Sequence, residues 1–263
     1  MLTRSGFRER FSARAVFGMV HLGPLPGAPL FTSLDAVLED ALRDARVIAE
    51  CGCAGFVIEN YGDRPFTRGR AEAETVAAMT RVITEIAREV RVPFGVNVLR
   101  NDPLSALAIA AATSAAFIRV NVHTGAMITD QGIIEGDAYA TLRKRAALVP
   151  GVLIFADYLV KHAMPLTTVD PVQTAKDLRE RGLADAVIVT GAETGAAADP
   201  SRLRLLRETI PDAPLLIGSG VSAENAARFA GADGAIVGTS LKRDGRVDPS
   251  RVEAVVKAFR EAR

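Results

Sequence analysis

The chain of 263 residues has no tryptophan, three tyrosines and two cysteines. Cys51 and Cys53 are separated by one residue, a spacing that suits neither a disulfide nor a zinc pair. They cannot form a disulfide framework, and both read as small packing residues in a protein expected in the reducing cytoplasm. An excess of one charge sign is also missing, since 32 Lys and Arg stand against 31 Asp and Glu, for a net charge of +1. Gripping nucleic acid by its phosphates needs a basic excess, so nucleic acid is not expected as a partner. No hydrophobic run reaches the ~18–20 residues that span a bilayer. The most apolar stretch, Leu104–Ile118, is shorter and interrupted by Ser and Thr, so no transmembrane segment is expected. Near the start, Arg4, Arg8, Arg10 and Arg14 face only Glu9. No apolar stretch or small-residue cleavage site follows them, so the segment reads as mature protein. Gly-x-Ser-x-Gly, Gly-x-x-x-x-Gly-Lys-Ser/Thr and His-Glu-x-x-His are all missing. A nucleophile elbow, a nucleotide P-loop and the zinc-protease helix go with them.

What is there is alternation. Apolar runs at Ala15–Leu22, Gly55–Glu59, Phe94–Leu99, Ala116–Val120, Val152–Tyr158, Ala186–Thr190, Leu215–Gly218 and Ala235–Gly238 are bounded by turn residues. They read as strands covered on both faces. Between them lie helical patterns, among them a stripe of Leu34, Val37, Leu38, Ala41, Leu42, Ala45, Ile48 and Ala49. Asp102-Pro103, Asp170-Pro171, Asp199-Pro200 and Asp248-Pro249 each read as an N-cap followed by Pro at the first helical position. Ser222 reads as a further cap, opening a short helix. Eight strands alternating with eight helices predict an α/β fold, a closed (β/α)8 TIM barrel occupying residues 1–263 as one domain. An open doubly wound sheet would need a Gly-rich cradle after its first strand. The turn found there, His21-Leu22-Gly23-Pro24-Leu25-Pro26-Gly27, carries two prolines that lack the N–H groups a phosphate needs.

Long loops follow strand 1 (Gly23–Phe31), strand 2 (Asn60–Arg70) and strand 4 (Asn121–Gly136), at the end where barrels keep lids and chemistry. Strand 7 ends in Gly218-Ser219-Gly220 and strand 8 in Gly238-Thr239-Ser240. Small turns on neighbouring strands expose backbone N–H groups toward one spot, a common barrel phosphate site. Lys242 follows them as either an assisting or a solvated lysine.

Gly231-Ala232-Asp233-Gly234-Ala235-Ile236-Val237-Gly238 resembles the last strand of the ribulose-phosphate-binding barrels. A more specific resemblance covers nearly the whole chain. It rests on Met19-Val20-His21-Leu22-Gly23-Pro24-Leu25-Pro26-Gly27, Glu59-Asn60-Tyr61-Gly62-Asp63, Gly95-Val96-Asn97-Val98-Leu99-Arg100-Asn101-Asp102, Arg119-Val120-Asn121, Ala156-Asp157, Lys161-His162-Ala163 and Gly218-Ser219-Gly220. These co-ordered motifs resemble the BtpA/SgcQ family. The resemblance implies a barrel of the ribulose-phosphate-binding type. It also implies two histories of use, photosystem I biogenesis in cyanobacteria and association with sugar metabolism elsewhere. Nothing in these residues is photosynthetic.

Candidate chemistry gathers at the strand ends. Glu59 and Asp157, three strands apart, are read as general acid and base across the mouth. Glu59 is placed first as base because the tryptophan synthase α subunit also carries a Glu at the end of strand 2. His21 and His162 complete the catalytic set. Asn97, Arg119, Asn121, Lys161, Thr190 and Glu193 are read as substrate contacts, with Arg119 pairing a substrate anion or a mouth carboxylate. Gly218, Ser219, Gly220, Gly238, Thr239 and Ser240 are read as the phosphate turns. His21, Glu59, His123, Asp157 and His162 supply ligand types for a divalent metal, but none sits in a tight ligand signature. No cofactor is required, and no metal ligand is assigned. The expected function is proton-transfer chemistry on a small phosphorylated sugar or nucleoside-phosphate metabolite. The competing reading is a non-enzymatic assembly factor. Homo-oligomerisation stays open, since no decisive patch shows in the sequence.

Overall fold

The computed structural model describes residues 1–191 and 198–262. Eight parallel strands close into a barrel. They are β1 (Ala15–His21), β2 (Gly55–Glu59), β3 (Phe94–Asn97), β4 (Phe117–Val120), β5 (Leu153–Tyr158), β6 (Ala186–Val189), β7 (Leu215–Ile217) and β8 (Gly234–Val237). Neighbours in sequence are neighbours in the barrel, and β1 closes it against β8 with Ala15 opposite Gly234.

The two-residue period of each strand divides its side chains. Phe17, Met19, Val57, Phe117, Phe155, Ile188, Leu216 and Ile236 fill the interior, while Val16, Val20, Ile58, Val96 and Ile118 pack outward. The outer helices cover that second layer. Gly95 makes the interior possible, because a Cβ there would stand 2.2 Å from the Phe117 ring.

The helices are α1 (Arg4–Phe11), α2 (Leu34–Glu50), α3 (Ala73–Glu89), α4 (Pro103–Thr113), α5 (Ala138–Leu148), α6 (Pro171–Lys176), α7 (Pro200–Thr209) and α8 (Pro249–Glu261). All four Asp-Pro signals open helices. Asp102 accepts from the Ser105 N–H, Asp170 from Gln173, Asp199 from Ser201 and Asp248 from Arg251.

Three features depart from the sequence reading. First, α1 precedes β1 and plugs the bottom of the barrel. Its Phe7 and Phe11 are buried against each other and against Phe17, Phe117 and Phe155, with pairs that involve Phe7 or Phe11 at centroid distances of 5.2–6.4 Å. Second, no full helix joins β7 to β8, only a single 3-10 turn at Ala226–Phe229. The Asn225 side chain accepts from the Ser222 N–H and donates to the Gly220 carbonyl, which holds the chain in a turn where Ser222 was expected to cap. Third, the long segment after β4 is folded. Ala126–Thr129, Gly132–Glu135 and Ala163–Pro165 form a three-stranded antiparallel sheet beside the mouth. Met127 and Ile134 pack inward on Val122 and Val160, while Ile128, Ile133 and Met164 face outward. Among the described residues, no helix is long and apolar enough to cross a membrane.

Candidate functional site at the barrel mouth

Above the phenylalanine layer the same inward positions turn polar. His21 ends β1, Glu59 ends β2 and Asn97 ends β3. Arg119 lies on β4 with Asn121 just beyond it, and Asp157 lies on β5. Glu59, Asn97, Arg119, Asn121 and Asp157 are all buried. This ring is therefore the roof of a hydrophobic core, and every charge in it needs a partner.

Glu59 has two. Asn97 donates Nδ2–H to Oε2 at 2.6 Å, and His21 Nε2 stands 3.8 Å from Oε1, just beyond hydrogen-bond length. Burial alone would raise the Glu59 carboxyl. Coupling to His21, the positive charges of Arg119 and Lys161 and the Asn97 hydrogen bond outweigh burial and hold it below the usual range. Glu59 is thus an anion at neutral pH. His21 moves the other way, pushed down to about 4 chiefly by burial, against the pull of Glu59 and with the push of Lys242, Lys161 and Arg119. Its ring stacks on Tyr61 at 4.5 Å, and the Arg64 guanidinium lies over the Tyr61 ring at 5.2 Å from the centroid.

The second carboxylate is engaged differently. Arg119 donates to both oxygens of Asp157 at 3.0–3.2 Å, and Asn121 Nδ2 donates to Oδ2 at 2.8 Å. The mouth carboxylate foreseen as a partner for Arg119 is thus Asp157. Asn121 Oδ1, also buried, has no hydrogen-bond partner among the described residues.

A cavity of about 340 Å³ opens above Glu59, lined also by Tyr61, Arg64, Phe66, Leu99, Arg100, Asn121, Asp130, Lys161 and His162. Three cations, Arg64, Arg100 and Lys161, face it against Glu59 and Asp130. Burial, together with Arg119 and Arg100, lowers the Lys161 ammonium despite Glu59 and Asp157. Arg100 braces the Lys161 loop by donating to its carbonyl at 2.7 Å. Leu159 and His162 hold positive φ angles of 52° and 54°. Thr190 sits below this loop and donates to the Leu159 carbonyl at 3.2 Å.

The turns after β7 and β8 lie side by side. The Ser240 hydroxyl donates to the Val221 carbonyl, tying one turn to the other. Ser219 Oγ accepts from the Gly191 N–H at 2.6 Å. Gly218 has a packing reason of its own, since a Cβ there would meet Ile188 at 2.4 Å. Gly220 adopts φ +66°, which favours glycine. Gly238 borders His21, and exposed Thr239 lines a groove shared with Lys242, His21, Tyr61 and Arg64. Glu193 lies outside the described residues. His123 does not join the mouth; its Nε2 meets the Gly182 carbonyl at 2.7 Å. Among the described residues, no three His, Cys, Asp or Glu side chains gather where a metal could be held.

Sequence reasoning did not single out Tyr61, Arg64 or Asp130 as site residues. Tyr61 and Arg64 lie in the long loop after β2, whose length was a signal, and Tyr61 also stands in the motif Glu59-Asn60-Tyr61-Gly62-Asp63.

The chain matches the BtpA family over residues 12–261. It belongs to that family. An uncharacterized protein of Archaeoglobus fulgidus is 45% identical over 93% of this chain and 98% of its own. The photosystem I biogenesis protein BtpA of Synechocystis is 44% identical over 94% of this chain and 88% of its own. Among solved structures, the thiamine phosphate pyrophosphorylase of Pyrococcus furiosus superposes with a TM-score of 0.61 at 14% identity, covering 97% of this chain and 98% of that one. The N-(5'-phosphoribosyl)anthranilate isomerase of the same organism gives 0.60 at 14% identity, over 94% and 98%. At such identities these likenesses show the fold alone. The BtpA-family chain has the barrel that those proteins share.

Proposed function

We propose that this BtpA-family barrel is an enzyme that moves a proton on a small phosphorylated sugar or nucleoside-phosphate metabolite, in an isomerase, lyase or glycosidic-bond reaction. The observation that carries the reading is the ionised Glu59, buried at the floor of a cation-faced cavity with a neutral histidine 3.8 Å away. A carboxylate fixed by Asn97 and walled from water is a general base in waiting. His21 Nε2 is placed to polarise an oxygen of the substrate. Lys161 and Arg100, with Arg64 and His162, contact the part of the substrate that lies over Glu59. Asp157, with both oxygens committed, fixes Arg119 and Asn121 and is assigned an orienting role, not that of the second proton carrier. The phosphate is assigned to the linked turns at Gly218, Ser219, Gly220, Gly238, Thr239 and Ser240, whose glycines allow close approach. Two free cysteines, at least one of them buried, suit the cytoplasm.

The test is a thermal-shift panel of phosphorylated sugars and nucleotides, with and without divalent metal, since a ligand of the folded state raises its melting temperature. A rise of several degrees for one phosphate ester is expected, and Glu59→Gln is expected to keep that rise while losing turnover by at least about 100-fold. Full turnover in Glu59→Gln removes the mechanism.

A second reading has its own support in the Synechocystis relative's name and in the outward Ile128, Ile133 and Met164 of the mouth sheet, which are 47%, 46% and 71% exposed. In that reading the barrel is an assembly factor. Crosslinking to a stable protein partner, in a chain whose Glu59→Gln variant still functions, favours it.

A further inference from the structure

The proposed chemistry leaves the tautomer of His21 unassigned, and the segment after β8 decides it. Lys242 and Arg243 pair antiparallel with Arg246 and Val247. The connecting Asp244-Gly245 adopts φ 51° and 79°, positive at both positions as a tight two-residue hairpin requires. This ribbon fixes the base of the Lys242 side chain. The ammonium reaches back to the opposite end of the chain and lies 3.2 Å from His21 Nδ1. An ammonium has three N–H groups and no lone pair, so the imidazole nitrogen it meets must be the unprotonated one.

We propose that Lys242 is a positioning residue: by donating to Nδ1 it confines the single imidazole proton of His21 to Nε2, which faces Glu59. His21 is then a neutral hydrogen-bond donor beside the base. It is not an imidazolium acid.

The other groups around His21 agree. Glu59 approaches from β2. Arg119 from β4 and Lys161 from the loop after β5 place positive charge nearby. Tyr61, with Arg64 over its own ring, covers one face of the imidazole. Burial lowers the Lys242 ammonium, against Asp44 on α2 and Glu59, which both favour its charged form. Among the described residues, Lys242, Lys161 and Arg119 against Glu59 disfavour a second proton on the ring.

The inference rests on the proposed function only for what the donor serves, because the tautomer can be read with no substrate present. The experiment is long-range proton–nitrogen correlation NMR on the uniformly 15N-labelled chain across pH. The chain has three histidines, and His21→Asn identifies the signals of interest by their loss. The expected wild-type result at pH 7 is a pyridine-like Nδ1 and a pyrrole-like Nε2. Lys242→Met, which cannot donate, is expected to mix the two nitrogen shifts and to raise the titration midpoint of His21 by about one pH unit. Lys242→Arg, which also only donates, is expected to retain Nε2–H. A wild-type ring protonated on Nδ1, or doubly protonated at pH 7, overturns the proposal. So does a folded Lys242→Met with unchanged shifts and midpoint. The wild-type spectrum decides the tautomer even where Lys242→Met does not fold. An inactive tautomer swap with an intact Glu59 dependence, or the reverse, separates this inference from the proton-transfer reading.

Discussion

Arg119 and Asp157 come from adjacent strands and meet where neither can reach water, with side-chain exposures of 2% and 0%. Desolvating both ions is expensive, and the bidentate geometry with Asn121 is what offsets it. Removing one partner leaves an uncompensated charge in the roof of the core. Arg119→Met is therefore expected to destabilise the chain by about 3–5 kcal/mol, read from urea denaturation midpoints. A loss below about 1 kcal/mol, the level of an exposed pair, would show that water reaches Asp157. Reading the sequence places both residues at strand ends and recognises them as mouth residues. Their pairing depends on barrel register and side-chain direction across 38 positions, which no local pattern encodes. The Asn97–Glu59 bond is of the same kind, since both residues are foreseen as mouth groups and neither as the other's partner.

Among the elements, the eight strands and the Asp-Pro helix starts are legible because each is written within a few consecutive residues. The plug α1 is not, since its short arginine-rich stretch presents two phenylalanines to a surface that exists only after the barrel closes. The mouth sheet is hidden differently. Its alternation of Met127 and Ile134 inward with Ile128 and Ile133 outward spans two four-residue strands, and it reads as a loop until Ala163–Pro165 adds the third strand. These two classes of element should respond differently to mutation. Phe11→Ala opens a void among four aromatic rings, and a loss of about 3–5 kcal/mol is expected. Asp199→Ala removes one exposed helix cap, and a much smaller loss is expected. Thermal melts of the two variants side by side check this, and equal losses would mean that α1 does not seal the barrel.

For the whole molecule, the buried His21 makes stability depend on acidity in a definite window. Its folded pKa of about 4 lies below the value of about 6.5 for an unfolded histidine. Above pH 6.5 both states leave it neutral, and it contributes no pH dependence. As the pH falls from 6.5 to 4 the unfolded chain takes up the proton while the folded chain refuses it, so stability falls, by roughly 3 kcal/mol at the lower end. Urea midpoints measured at pH 7 and pH 4.5 should show this decline in the wild type and a shallower one in His21→Asn. Parallel declines would mean that His21 is hydrated in the folded chain.

The plug at the bottom has a kinetic meaning beyond its packing. A barrel sealed by Phe7 and Phe11 is a cup, with the polar ring at its lip and a dry floor beneath. Whatever enters must leave by the door it came through, past Tyr61, Arg64 and the mouth sheet. On the proposed proton-transfer reading, departure of product then gates arrival of the next substrate through the same opening.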